Sequence, residues 1–315
     1  IKEIRDSKDT KIPRLPMIIM RTLKGWTGVK ELNGEKVEGN CLSHQVVLTD
    51  AKTNHEQLEL LNKWLKGYEF PELFTRDTGF GDFINDIIPE NPEKRLGMTK
   101  HARGGDAVYK PLNLPPAEQF MEDANIPGTL GSSSMRRTGA YLEETFRLNA
   151  DSKNFRMMSP DETYSNKLDD VFKATSRSWQ WPIHEWDKDL TRDGRVMEML
   201  SEHNMQGLMQ GYVLTGRHAM FASYEAFLQV VSSMVDQYAK FLTQSRGVEW
   251  RGTIPSINYI LTSSGWRQDH NGFSHQNPGF IDDLLRRQSN FCDIYFPADG
   301  NSTLVALEKM LTSVR

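Results

Sequence analysis

The densest gathering of chemically capable side chains is Trp266-Arg267-Gln268-Asp269-His270-Asn271-Gly272-Phe273-Ser274-His275-Gln276-Asn277-Pro278-Gly279. It holds two imidazoles five residues apart, carboxamides on either side of the first, and glycine and proline breakers. Imidazole titrates near neutral pH, so two of them converging on one ligand could take and return protons. The alternative is a polar surface loop whose histidines bond only backbone. The triplet Ser274-His275-Gln276 occurs again as Ser43-His44-Gln45, and both copies sit in glycine-bounded, non-helical stretches. Lys24, in Lys24-Gly25-Trp26-Thr27-Gly28, is a further cation that composition alone does not separate from a surface lysine.

Glu202 follows the apolar run Val196–Leu200 and opens Glu202-His203-Asn204. Such a carboxyl is commonly a solvated helix terminus. In a dry pocket it could instead stay protonated and donate to a ring nitrogen. Tyr164-Ser165-Asn166-Lys167 combines hydrogen-bonding groups with a cation, a set that suits a phosphate. Arg217, in the glycine-hinged turn Leu214-Thr215-Gly216-Arg217-His218, could bind an anion or pin a neighbouring carboxylate. The Gly-x-x-x-x-Gly-Lys-Ser/Thr, Gly-x-Gly-x-x-Gly, Gly-x-Ser-x-Gly and His-Glu-x-x-His templates do not occur, so the common nucleotide and hydrolase readings have no support.

The chain that must position these groups has 315 residues, 38% of them hydrophobic, enough for two units with cores. Lys plus Arg is 38 against 42 for Asp plus Glu, a formal net charge of −4. Nucleic acid is therefore not the expected partner. No apolar run approaches the roughly 20 residues of a membrane-spanning helix. Cys41 and Cys292 are the only cysteines, too few for a disulfide framework or a thiolate metal site, and a reducing cytoplasm is the expected compartment. The start Ile1-Lys2-Glu3-Ile4-Arg5 reads as an internal cut, and residues 1–15 are expected to be mobile.

Pro16–Arg21 reads as a buried strand and 29–49 as an extended excursion. Leu58, Leu61, Trp64, Leu65 and Tyr68 form one stripe, which predicts an amphipathic helix over 55–68. Residues 70–133 are rich in glycine and proline, with helical character only at 117–125. Phe74, Phe80, Phe83, Ile84, Ile87 and Ile88 give this stretch apolar material to bury, so it reads as an ordered, irregular connection. Beyond it come a helix over 135–148, a strand over 155–158 and a long helix over 221–241. On the stripe of that helix an aromatic such as Tyr224 is ordinarily core. A strand over 257–263, a helix over 280–287, a strand over 294–296 and a helix over 303–311 complete the pattern. This alternation predicts an open, mainly parallel α/β sheet with helices on both faces, its ligands beyond the carboxyl ends of the strands.

The stretches Tyr212-Val213-Leu214-Thr215-Gly216-Arg217-His218 and Trp266 to Gln276 resemble the signature sequences of the phosphoketolases. Pro16-Met17-Ile18 with the Lys24–Gly28 loop, Ser43-His44-Gln45, Leu130-Gly131-Ser132-Ser133 and Ser159-Pro160-Asp161-Glu162 are similar to the same family. The resemblance runs along essentially the whole chain. It implies a thiamine-diphosphate enzyme related to the transketolases. Such an enzyme cleaves xylulose 5-phosphate, and often fructose 6-phosphate, with inorganic phosphate to acetyl phosphate and an aldose phosphate, through a cofactor ylid and a dihydroxyethyl adduct.

By the same resemblance, residues 1–69 are the end of a pyrophosphate-binding domain, 70–133 the inter-domain connection and 134–315 a transketolase-like pyrimidine-binding domain. The family's chains are longer. Their Gly-Asp-Gly…Asn motif for Mg2+ and the cofactor diphosphate does not occur in this sequence, so no metal ligand is expected here and this fragment alone is expected to be inactive. Glu202 corresponds to the carboxyl that hydrogen-bonds the aminopyrimidine, and Tyr224 to the aromatic against that ring, which reverses its reading as core. His275, His270 and His44 correspond to acid–base groups. Gln268, Asn271 and Ser165 correspond to ligands of substrate hydroxyls or phosphate, and Lys24 approaches the reacting centre. Lys167 stands where the family has arginine, and Ala219 where it has glycine. Lysine keeps the charge without the bidentate fork. The resemblance implies a homodimer with its site between subunits, and sugar phosphate and inorganic phosphate as partners. A transketolase-like two-carbon transferase and an inert interaction module are the alternatives.

Overall fold

The computed structural model describes residues 14, 16–77, 79–103, 108–123, 125–160, 163–263, 272–287 and 291–314. Its contacts divide the chain into two units, residues 1–89 and 90–315. Within the first, Asn33-Gly34 closes a two-residue hairpin between Glu31–Leu32 and Glu35–Lys36. Both turn residues have positive φ, 52° and 80°, the conformation such a turn requires and the reason for the Asn-Gly pair. Cys41–His44 forms one 3-10 turn, and the Asn40 side chain accepts from the Leu42 N–H at 2.7 Å. Helix α1 (His55–Lys66) follows, with Asn54 capping the Gln57 N–H at 3.2 Å.

Helix α1 matches the periodicity, but its stripe does not form a core: Leu58 and Leu65 stay exposed while Gln57 is the buried residue. The Gln57 side-chain oxygen accepts from the Asp50 N–H at 2.9 Å, tying the preceding loop to the helix. Pro16–Arg21 is not a strand, and Ile18 is 85% exposed. A two-sided strand needs ladder partners, and among the described residues none pairs with this run. Short elements over 70–89 also depart from the sequence expectation: a turn of helix at Phe70–Leu73, a hairpin Phe74–Thr75/Gly79–Phe80 and a helix at Asp82–Ile87. The expected helical stretch at 117–125 is a 3-10 turn, Ala117–Phe120.

The second unit is a six-stranded sheet flanked by helices. Helix α2 (Ser134–Leu148) is capped by Ser133, whose hydroxyl accepts from the Arg136 N–H at 3.4 Å. It leads into β1 (Phe155–Ser159), then β2 (Arg177–Ser178), β3 (Leu190–Thr191) and β4 (Val196–Glu198). Next come α3 (Glu202–Leu214), β5 (His218–Tyr224), α4 (Ser232–Ser245), β6 (Ile257–Thr262), α5 (Gly279–Arg286) and α6 (Gly300–Thr312). The sheet order is β6-β5-β1-β4-β2-β3, and every pairing is parallel.

Alternate side chains of the central strands point to opposite faces. Phe155 and Met157 of β1, with Met220 and Ala222 of β5, pack against Tyr141, Leu142 and Phe146 of α2 and Leu304, Leu307 and Leu311 of α6. Met158, Ala219 and Phe221 point the other way, onto Met205, Met209 and Val213 of α3, Val235 of α4 and Phe280 of α5. Helices therefore cover both faces, as the sequence predicts. Two segments correct the sequence reading. The helix expected over 221–241 is the end of β5, a short helical turn at Glu225–Leu228 and then α4. A strand covered on both faces is apolar throughout, so periodicity alone cannot separate it from a buried helix. The strand expected at 294–296 is irregular, and among the described residues it has no ladder partner. Among the described residues no helix is long and apolar enough to cross a membrane.

His218 begins β5 and is buried, its Nε2 2.8 Å from the Lys110 carbonyl oxygen. Burial pushes its pKa below the ordinary 6.5, against the smaller opposing effect of that bond. The folded chain thus holds a neutral ring, while the unfolded chain takes up a proton below about pH 6.5. Stability from this group is present above that pH and lost as pH falls toward the folded value. His218→Gln, which keeps a donor, should flatten the acid limb between pH 7.5 and 5.5, measured as the shift in urea midpoint. Phe155→Ala should cost about 3–5 kcal/mol in the same assay, because its ring is fully buried 4.9 Å from that of Phe146.

Candidate functional site

Strand register gathers the polar strand ends of the second unit along one edge. Ser159 ends β1 opposite Glu198, which ends β4. Tyr224 ends β5 opposite Thr262, which ends β6. This is the carboxyl edge, where parallel sheets present their loops to ligands. The turn after β1 is tied down here. The Thr262 hydroxyl bonds the Asn166 side-chain oxygen, and both residues are buried. Helix α2 meets the same turn at Gly139, where a Cβ would stand 3.0 Å from the Lys167 carbonyl oxygen. Ser165 and Lys167 flank Asn166 and are exposed, Lys167 with a left-handed φ of 60°. The turn thus offers a hydroxyl and an ammonium to solvent from a fixed base.

Glu202 is the first residue of α3. Ser201 caps the helix, accepting from the Asn204 N–H at 3.4 Å, so the carboxyl lies at the helix's positive end on this same edge. Tyr224 does not lie on a helix stripe as its sequence context suggests; it stands at the end of β5, half-buried. Its ring meets the His275 imidazole at 5.1 Å and 76°, edge to face. Phe227 closes on the same imidazole at 5.0 Å. The Ser274 hydroxyl lies 2.7 Å from His275 Nδ1. Two rings and one hydroxyl therefore hold the histidine at the mouth of the edge.

In the first unit, Gly25 has a φ of 73°, and a Cβ there would come within 2.5 Å of Ser43 Cβ. The backbone after Lys24 thus lies directly against the residue before His44. The Lys24 carbonyl oxygen also accepts from the Gly39 N–H at 2.7 Å. Lys24 and His44 are both exposed. The structure thus lays the turns that carry these two candidates against each other, and it places the Tyr224 and His275 rings in direct contact. His270, Gln268 and Asn271 lie outside the described residues, as do Asp161 and Glu162. Arg217 donates to the Thr215 hydroxyl at 2.9 Å, and its guanidinium lies 5.5 Å over the Tyr212 ring.

Sequence reasoning missed a largely buried ion pair beside the edge. Arg177 Nε donates to Glu198, which also accepts from the Thr163 hydroxyl. The guanidinium stacks 4.2 Å over the Phe172 ring. It also missed Phe227 and Glu225. Their signal was the spacing Tyr224-Glu225-Ala226-Phe227, which a helix reading absorbs into an apolar stripe.

A model of the family described as D-xylulose 5-phosphate/D-fructose 6-phosphate phosphoketolase matches residues 136–313, more than half of the chain. A model of that family's N-terminal domain matches residues 1–107. The chain belongs to the phosphoketolase family. It is 46% identical over 297 residues to a probable phosphoketolase of Bradyrhizobium diazoefficiens, covering 94% of this chain and 37% of that one. It is 44% identical over 311 residues to a probable phosphoketolase of Streptomyces avermitilis, covering 98% and 39%. The chain thus spans under two-fifths of the length of these phosphoketolases. A transketolase mutant from Pichia stipitis aligns over 85% of the chain and 32% of its own, with a TM-score of 0.43 and 17% identity.

The contact at Gly25 makes a test available within this phosphoketolase segment. Gly25→Ala should destabilise the first unit by more than Gly34→Ala. Both positions have positive φ, at about 1–2 kcal/mol for a side chain, but only Gly25 packs against Ser43, while a Cβ at Gly34 meets nothing within 4 Å. Urea unfolding followed by tryptophan fluorescence measures the difference.

Proposed function

We propose that the protein to which this chain contributes is a phosphoketolase. It takes xylulose 5-phosphate, with fructose 6-phosphate as a second substrate, and inorganic phosphate to acetyl phosphate and an aldose phosphate. The family match across residues 136–313 carries this reading, and the grouping of Tyr224, Phe227 and His275 at the edge that also holds Glu202 supports it. We read residues 1–69 as the end of the pyrophosphate-binding domain, 70–133 as the connection and 134–315 as the pyrimidine-binding domain. The working state on this reading is a cytoplasmic homodimer.

A carboxyl and two aromatic rings along one sheet edge suit a flat, weakly basic heteroaromatic ring. Glu202 and Tyr224 are assigned to that ring of thiamine diphosphate on that chemistry, and Lys24 to the cofactor on the family resemblance alone. When bound, this cofactor supplies the electron sink for breaking a carbon–carbon bond beside a carbonyl. Magnesium is assigned no residue of this chain. Glu202 hydrogen-bonds the pyrimidine nitrogen from the first turn of α3. Tyr224 presents an aromatic face and orients His275. His275, with His270 and His44, moves protons at the carbonyl and hydroxyl oxygens of the sugar. Ser165, Lys167, Gln268 and Asn271 hold substrate hydroxyls or phosphate, Lys167 as a point charge.

Acetyl phosphate formation by the full-length protein, trapped as the hydroxamate, should require inorganic phosphate. Glu202→Gln should lower kcat by roughly 10²–10⁴-fold while leaving the urea midpoint in place. Phosphate-independent transfer of two carbons to an aldose would identify a transketolase-like enzyme instead. A wild-type rate in Glu202→Gln would remove that carboxyl from the reaction.

A further inference from the structure

The turn that carries Ser165 and Lys167 is fastened by one carboxylate. Glu198 ends β4, and its side chain is only 6% exposed. Its Oε1 accepts from the Thr163 backbone N–H at 3.3 Å and from the Thr163 hydroxyl. Its Oε2 accepts from Arg177 Nε. Thr163 is itself buried, and its carbonyl oxygen accepts from the Leu168 N–H at 2.9 Å, which closes the turn. Within it, the Tyr164 carbonyl oxygen accepts from the Lys167 N–H at 3.0 Å. Thr163, Asn166 and Leu168 are buried, while Ser165 and Lys167 between them are exposed.

Arg177 is held in its own right. Its guanidinium stacks on Phe172 and donates to the Lys188 carbonyl oxygen at 3.3 Å. Asp189, which the Tyr164 hydroxyl bonds, lies 3.8 Å from the same guanidinium. Glu198 therefore faces donors on both sides. A carboxylate accepts at both oxygens, whereas a carboxamide accepts at one end and donates at the other. With Arg177 on one side and the Thr163 N–H on the other, a carboxylate matches both and a carboxamide leaves one donor facing another. A buried donor without a partner is costly. The parallel ladder does not call for an acid at the end of β4, because its bonds run through backbone groups. A separate tie, from Thr262 to Asn166, meets the turn at its middle.

On the reading that Ser165 and Lys167 hold substrate hydroxyls or phosphate, we propose that Glu198 is a positioning residue. Its carboxylate clamps Thr163 against the fixed Arg177 and so sets the turn that presents the Ser165 hydroxyl and the Lys167 ammonium. It acts through the turn and touches no substrate. Both oxygens are used, so Gln does not replace Glu here.

The test uses the full-length protein and the variants Glu198→Gln, Lys167→Met and the two combined. Hydrogen exchange of the peptide spanning 163–168, read by mass spectrometry, reports the turn. KM for xylulose 5-phosphate and for inorganic phosphate, with kcat, reports its use. Glu198→Gln should speed exchange several-fold and raise KM for one of the two roughly tenfold, the effect of losing one charge-assisted hydrogen bond, with a smaller change in kcat. Lys167→Met should raise the same KM, and adding Glu198→Gln to it should add little, since both act through one turn. Unchanged exchange in Glu198→Gln overturns the proposal, as do faster exchange with unchanged KM and full additivity in the double variant. Should Glu198→Gln fail to fold, Thr163→Val, which removes one of the three donors, is read in the same way with smaller shifts. If Lys167→Met leaves both KM values unchanged, the reading of this turn as a substrate subsite fails, while exchange still decides whether Glu198 holds the turn.

Discussion

Burial of β1 and β5 on both faces is the constraint from which the second unit follows. Phe155, Met157, Met220 and Ala222 need one layer of helices, and Met158, Ala219 and Phe221 need another. A parallel sheet satisfies both demands, because each crossover returns a helix to a face. With all strands pointing the same way, their carboxyl ends fall on a single edge. The polar residues Ser159, Glu198, Tyr224 and Thr262 therefore end up together although the chain separates them widely.

Order at that edge comes from short polar ties more than from the core. Thr262 holds Asn166, and Arg177 with Thr163 holds Glu198. Asp283 receives Gln229 and Ser232. Each satisfies a group that the packed layers have taken out of water, which is where a lost partner costs most. The exposed Ser165 and Lys167 and the half-buried His275 ride on this satisfied base. Candidate side chains on loops are thereby given positions that loops alone would not supply.

Much of this was legible in the sequence. The amphipathic helices α2, α5 and α6 and the strand β6 fall close to the boundaries that the sequence predicts. The parallel α/β class followed from their alternation. Other parts were hidden for physical reasons. Ala219 to Ala222 carry no polar beat, because both sides are covered, so the end of β5 from Phe221 read as helix and took Tyr224 with it. Pro16–Arg21 and 294–296 have strand composition without a ladder partner, and composition cannot report a partner. Of the candidate site, Tyr224 beside His275 and Lys24 beside the His44 turn required coordinates, since neither pairing follows from spacing. Glu225 fell inside the stripe that the helix reading absorbed: a buried acid inside an apolar run looks like a solvated one until its surroundings are seen.

The most direct measurement is a crystal structure of the full-length protein with thiamine diphosphate bound. The carboxyl edge of the sheet should hold the pyrimidine ring in van der Waals contact with Tyr224, at about 3.5–4.0 Å, and within hydrogen-bond distance of the Glu202 carboxyl, about 2.7–3.2 Å. A pyrimidine seated elsewhere, with Tyr224 packed only against His275 and Phe227 and Glu202 facing solvent, would contradict the assignment of this edge as the reacting site.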